Sequence, residues 1–260
     1  MTEYDAIRVP RTRHRVWPWV VLALLVALVL SVIYAGDAIA RPIAQEAVAQ
    51  KMASALGVTP GDLKVSLAST PLPIQLLDGK VDTVDVDAPN ITLGPLTGDA
   101  TVHVEQVPID TSKPIGRTTV TFTIDAQHLD QLAKAFGGGF VQSITLQAPN
   151  ATAAGQVSVF GVAVPLGITL HPEAVGGKLA FTPTAFQVAG QTLTVDQLRS
   201  SPQLRGFADT LAQQQTVCIA DHLPKAVTVT SVKVVGQSVV VTATGEGAVL
   251  SELGVKGACG

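Results

Sequence analysis

Val81-Asp82-Thr83-Val84-Asp85-Val86-Asp87-Ala88-Pro89-Asn90-Ile91-Thr92 recurs sixty residues later as Val141-Gln142-Ser143-Ile144-Thr145-Leu146-Gln147-Ala148-Pro149-Asn150-Ala151-Thr152. Apolar residues fall at matching places, and the Ala-Pro-Asn tripeptide is repeated intact. A weaker third copy reads Val229, Val232 and Val234, with Val235-Gly236-Gln237 in place of the tripeptide. Alternation of apolar and polar side chains marks each copy as a strand with one buried face. Pro-Asn or Gly-Gln then turns the chain. A second alternating run follows each turn, over Thr101 to Val107, Gln156 to Phe160 and Ser238 to Thr244. Each copy is therefore expected to be a β-hairpin, and repetition of this kind signals duplicated architecture, not catalysis.

Working outward, the second and third copies have similar lead-ins. Thr123-Ile124-Asp125 precedes a predicted helix from Gln127 to Phe136, and Thr194-Val195-Asp196 precedes one from Gln197 to Gln215, broken at Pro202. Each Asp is placed to accept from the free N–H groups of its helix. A further helix is expected from Asp37 to Leu56, with Ile39, Ile43, Ala47, Val48, Met52 and Ala55 on one face. Gly57 and Pro60 end it. Val120, Phe122 and Ile124 alternate with threonines, and Val162, Val164, Leu166, Ile168 and Leu170 keep period two through Pro165, which suggests an edge or a bend. The expected fold is α+β: a curved antiparallel sheet of repeated β-hairpins wrapping an N-terminal amphipathic helix, plus one transmembrane helix.

That last helix is the run from Val16 to Tyr34, which holds no charged residue. At about 1.5 Å per residue it spans roughly 28 Å, close to the hydrocarbon thickness of a bilayer. Arg8, Arg11, Arg13 and Arg15 precede it, so the N-terminus is expected in the cytoplasm and the rest outside. Trp17 and Trp19 stand at the inner end and Tyr34 at the outer end, where amphipathic rings settle at the headgroups. The division is a basic cytoplasmic stub over 1–15, an anchor over 16–35 and an exported domain over 36–260. A cleaved signal peptide is the rival, since Ala38-Ile39-Ala40 offers a small-x-small site, but the apolar run exceeds the usual length.

From Gly36 onward, 13 Lys and Arg face 18 Asp and Glu, a net charge of −5. This argues against nucleic acid as a partner and against electrostatic adhesion to an anionic bilayer. The two cysteines, Cys218 and Cys259, both lie in the exported part, where thiols oxidise. A disulfide between them would close a loop of about 40 residues, worth roughly 3–4 kcal/mol; two free thiols are the alternative.

Catalytic and metal signatures are weak. No Gly-x-Ser-x-Gly elbow accompanies His103, His128, His171 or His222, and the adjacent pair Asp221-His222 would point apart on a helix. No His–His pair has the spacing of a metal site, and the one His–Cys pair at four residues, Cys218 and His222, has no further His or Cys near it in the chain, so no metal and no cofactor is expected. Asp82, Asp85 and Asp87 read as a solvated strand face, with a weak calcium site as the rival. Gly137-Gly138-Gly139 follows a helix instead of opening one, which suits a flexible connector better than a phosphate cradle. The exported aromatics are seven Phe, without Trp or Tyr, which disfavours a carbohydrate platform. They suit an apolar cavity wall or an ordinary core equally well.

Pro71-Leu72-Pro73-Ile74-Gln75-Leu76-Leu77-Asp78-Gly79-Lys80, followed by the alternating Val and Asp of 81–89, resembles the LmeA-like family of actinobacterial envelope proteins. The Ala-rich helix after the anchor resembles that family's first helix, and Cys218 with Leu223-Pro224 resembles its C-terminal segment. The resemblance covers about residues 37–260. It implies phospholipid binding in the periplasm, with a fold like the tubular lipid-binding proteins of the bactericidal/permeability-increasing type. It also implies a link to phosphatidylinositol-type lipids and lipoglycan synthesis. The strong anchor departs from a freely diffusing lipid shuttle.

The expected function is thus a membrane-anchored phospholipid-binding protein of the cell envelope, not an enzyme, with phospholipid and membrane as partners. The rivals are a scaffold with a filled core and, further off, a hydrolase. An acyl chain gains about 0.8 kcal/mol per buried methylene, so a dozen methylenes give of order 10 kcal/mol before entropy costs. The expected apolar wall is Ile43, Val48 and Met52 on the helix, Phe122 and Ile124 on a strand, and Phe136, Phe140 and Ile144 around the glycine turn.

Overall fold

The computed structural model describes residues 17–56, 58–93, 96–129, 141–159, 162–203, 205–220, 223–249, 252 and 255–258. Helix α1, Trp17–Leu56, is one 40-residue helix. The expected anchor and amphipathic helix are therefore continuous. At about 1.5 Å per residue α1 is roughly 60 Å long, twice a hydrocarbon core, so only half of it fits inside a bilayer. Leu22, Leu24, Leu25, Val26 and Leu28 in its first half are at least half exposed. Among the described residues α1 is the one helix long and apolar enough to cross a membrane.

The rest is antiparallel sheet with short helices. A 3-10 turn at Pro60–Asp62 leads into β1 (Lys64–Leu67), α2 (Leu72–Leu77), β2 (Lys80–Leu93), β3 (Leu96–Pro108) and β4 (Thr118–Asp125). Then come β5 (Val141–Gln147), β6 (Asn150–Val159), β7 (Val162–Val175), β8 (Lys178–Val188) and β9 (Gln191–Thr194). Two short helices follow, α3 at Val195–Ser200 and α4 at Arg205–Leu211. The chain ends with β10 (Gln215–Val217), β11 (Thr228–Val235) and β12 (Ser238–Gly245). The first sheet has the order β1-β2-β3-β4-β12-β11, and the second β10-β8-β7-β6-β5 with β9 paired to β8. The fold class is α+β, as the repeat implies.

All three copies form hairpins: β2–β3, β5–β6 and β11–β12. The second turns at Ala148-Pro149 and the third at Gly236-Gln237, as expected. In the first copy the turn lies elsewhere. The ladder shifts register between Ala88 and Ile91, and the strand runs on to Leu93. Pro89 has no N–H to give and Asn90 sits at φ 53°, a left-handed residue that Asn tolerates. The Asn90 N–H donates to Asp99 Oδ1 at 2.9 Å, so a side chain replaces the missing ladder bond. The tripeptide makes a bulge here, not a turn. Similar register shifts in β5–β6, β7–β8 and β11–β12 bend the strands.

Pro165 lies at a local edge, as expected: β7 runs between β6 and β8, but its ladder with β8 begins only at Leu166, and Pro165 pairs as a strand with β6 alone. Its carbonyl accepts from Ala189 N at 3.0 Å, where β8 has already run into its turn, so the missing N–H costs no ladder bond. Helix α3 is capped by Thr194, not Asp196: Thr194 Oγ1 accepts from Gln197 N, and Gln197 Oε1 accepts from Thr194 N, a capping box. The cap before the other helix is as expected, with His128 N donating to Asp125 Oδ1 at 2.8 Å. Helical backbone opens at Ala126, and the expected helix beyond Leu129 lies outside the described residues.

One face of the first sheet is packed tightly. Ala88, Ala100, Phe122, Val241 and Val232 form a row across five strands, each under a tenth exposed. Ala49 and Ala53 near the end of α1 pack into the same cluster, which extends to Leu146 and Leu179 of the second sheet. The opposite face carries Asp85, Asp87, Thr101, His103, Thr119 and Thr121 in register.

Candidate functional site

The second sheet has an apolar face of a different kind. Ile144, Ala153, Ile168, Phe186 and Leu193 align across β5, β6, β7, β8 and β9. Alternation along each strand puts them on one side. The parallel row of Leu146, Ala151, Leu170 and Pro183 is deeper, with Leu146 only 4% exposed in the shared core. Moving away from it, Ile168 and Phe186 are half-buried, and Leu193 and Val188 are 39% and 45% exposed. The face is thus sealed along one side and open along the other. Polar residues occupy the reverse side, where Thr152 and Thr169 hydroxyls meet at 3.0 Å and His171 Nδ1 lies 3.1 Å from Asn150 Oδ1.

Along β7 the same face continues from Leu166 through Ile168 and Leu170 to Pro172 and Ala174. At about 3.3 Å per residue that stripe runs roughly 26 Å, longer than the ~15 Å leaflet that one acyl chain spans. Its far end enters a cleft of about 450 Å³ between β7, β11 and the β5–β6 turn. Pro172, Ala174, Val232 and Val234 supply apolar lining, while His171, Glu173 and Lys233 supply polar groups. Lys233 is the one lysine or arginine among the lining residues. The volume lies within the ~300–1,000 Å³ range of small-molecule sites.

The expected wall residues fall into different places. Ile144 joins the half-buried row of the second sheet and packs against the core. Met52 and Val48 are half-buried on α1, Met52 against the core, whereas Ile43 is 64% exposed. Phe122 and Ile124 are 6% and 4% exposed inside the packed core of the first sheet, so both are occupied with protein contacts. Phe136, Phe140 and the Gly137–Gly139 turn lie outside the described residues. Phe186 and Leu193 were not foreseen: in β8 the apolar phase shifts between Ala185 and Phe186, and β9 holds a single large apolar residue, so neither strand has the clean period-two signal of β7.

The other polar candidates have ordinary partners. His103 Nδ1 lies 2.5 Å from Asp85 Oδ1 on the water-facing side of the first sheet, with Glu105 3.7 Å from Nε2. The Asp85 carboxylate holds the imidazole pKa above its usual 6.5. Asp87 accepts from Thr101 Oγ1 at 3.1 Å. Asp125 lies below the usual carboxylate range, chiefly because the His128 backbone N–H donates to it. Among the described residues no group of His, Cys, Asp and Glu could hold a metal ion. His222, Asp221 and Cys259 lie outside them.

Comparison with known proteins matches the chain to a family. Residues 35–244 fit the model of the family described as LmeA-like phospholipid-binding, starting where the apolar run ends. No curated protein and no solved structure matches the chain. With most of its length matched and the sheet architecture in place, the chain belongs to the LmeA-like phospholipid-binding family.

Proposed function

We propose that this protein is a membrane-anchored phospholipid-binding protein of the cell envelope, and that the acyl chain lies on the open apolar face of the second sheet. The observation that carries this reading is the contrast between the two sheets. The central row of the first sheet, Ala88 to Val232, is closed below a tenth exposure, whereas the matching row of the second sheet, Ile144 to Leu193, is left half covered or open. A half-covered row of Ile, Leu and Phe invites an apolar ligand, because burying it gains about 25 cal/mol per Å². Under that arrangement Lys233, in the lining of the cleft at the end of the stripe, meets a phosphate-bearing headgroup. In this reading Ile144, Ile168 and Phe186 contact the chain, while Met52 and Val48 back the core.

The anchor is α1 before Asp37, with the N-terminus cytoplasmic and the domain extracytoplasmic, supported by the arginines before the run. A phosphatidylinositol-type lipid and a supporting role in lipoglycan synthesis follow from the family resemblance alone. A Cys218–Cys259 disulfide belongs to the same extracytoplasmic reading, and intact mass before and after reduction tests it.

Native mass spectrometry of residues 36–260 tests the central claim. A bound phospholipid at defined stoichiometry is the expected result. A ligand-free protein that takes up no added phospholipid would leave the scaffold reading in its place.

A further inference from the structure

We infer that the end of the domain built by α2 and the turn after β3 sits in the headgroup layer of the bilayer, with Ile74, Leu76, Leu77 and Ile109 as its lipid-facing side chains. The inference rests on α1 being an uncleaved anchor.

The direction of the chain along α1 places this end. Arg41 donates to the carbonyls of Leu67 and Ala68 at 3.1 and 2.8 Å, and to Thr70 at 3.3 Å. One turn earlier on the helix, Asp37 Oδ1 accepts from Leu72 N at 2.7 Å. One residue earlier again, a Cβ on Gly36 would stand 3.3 Å from Pro73 Cγ. As the chain advances from Leu67 to Pro73, its contacts therefore step back from Arg41 to Gly36. That is roughly 7.5 Å toward the apolar run. Gly36 is two residues, about 3 Å, beyond Tyr34. The layer between hydrocarbon and water is roughly 5–8 Å thick, so α2 emerges within it.

The side chains at this end suit that depth. Leu77 is 88% exposed, Ile109 50%, Leu76 48% and Ile74 39%. Ile109 is tied to the same end because its N–H donates to the Gly79 carbonyl at 3.1 Å. A cluster of large exposed apolar residues marks an interaction surface. Here it lies beside the exposed apolar surface of α1, which continues past Tyr34 to Ile39 and Ile43, so lipid and headgroup layer cover both as one continuous boundary. Arg41 paired with Asp37 at 3.0 Å anchors the domain at this level, using hydrogen bonds that hydrocarbon would not tolerate unpaired. The domain then stands with the Lys80–Pro108 end of the first sheet at the membrane and the β11–β12 turn away from it.

The test places a single tryptophan in the full chain, in a Trp17→Phe, Trp19→Phe background, reconstituted into phosphatidylcholine–phosphatidylglycerol vesicles brominated near the headgroup end of the acyl chains. Leu77→Trp reports the proposed contact. Gln237→Trp, exposed at the distal turn and outside the cleft lining, is the control. The expected result is blue-shifted emission and strong quenching for Leu77→Trp only. Emission equally unquenched at both sites, in protein that floats with the vesicles, overturns the inference and leaves the anchor intact. Equal quenching at both sites overturns the upright orientation and with it the inference. Protein that fails to float overturns the anchor reading, and the inference falls with it; lipid uptake by residues 36–260 is a separate measurement that this outcome does not touch.

Discussion

His103 and Asp125 carry small, opposite pH dependences. The folded state raises the His103 pKa, so its contribution is fully present below about 6.5 and is lost as pH rises through the folded value. Both partners are about two-fifths exposed, so solvent screening keeps the effect small. Denaturation midpoints measured from mildly acidic to mildly alkaline pH are expected to fall slightly in the native protein, and His103→Gln should flatten that slope. Asp125 has a lowered pKa, so its contribution is present above 3.8 and is lost as pH falls through the folded value. Asp125→Ala removes the helix cap and is expected to cost about 1 kcal/mol at neutral pH in urea unfolding. Gly98 has a steric role: an added Cβ would overlap the Thr123 carbonyl and crowd Phe122 Cζ. Gly98→Ala should cost roughly 1–3 kcal/mol by the same assay.

Among elements, α1 depends most on one clasp. Arg41 uses three nitrogens to hold Asp37 and three carbonyls. A lysine offers a point charge without that planar fork. Arg41→Lys should therefore lower the melting temperature about as much as Arg41→Ala, and hydrogen exchange over residues 64–77 should speed up in both. Strand patterns were legible because apolar alternation follows directly from the pleat. The role of Ala-Pro-Asn was not: the same tripeptide bulges in β2 and turns between β5 and β6. The difference comes from Asp99, which satisfies Asn90 from the partner strand, a contact that short-range sequence does not contain. The apolar stripe on α1 was also placed imperfectly. Ala49 and Ala53 face the core while Ile39 and Ile43 face outward, because tight approach to the sheet selects small residues over large ones.

At the scale of the molecule, core and candidate site are expected to respond differently. Phe122→Ala should cost about 3–5 kcal/mol through cavity formation, with lipid binding per folded molecule unchanged. Ile168→Asp and Phe186→Asp should abolish phospholipid retention in native mass spectra while shifting the melting temperature less. Equal loss of stability in all three would assign the second sheet to the core. Composition and order alone were enough to set the apolar anchor candidate, the three hairpins, the α+β class and the family, since each depends on local period or on motif. Which apolar rows are closed and which stay open depended on how two sheets meet along β7 and β11. Phe122 and Phe186 are alike as side chains, and only the tertiary packing buries one while leaving the other at the edge of an open face.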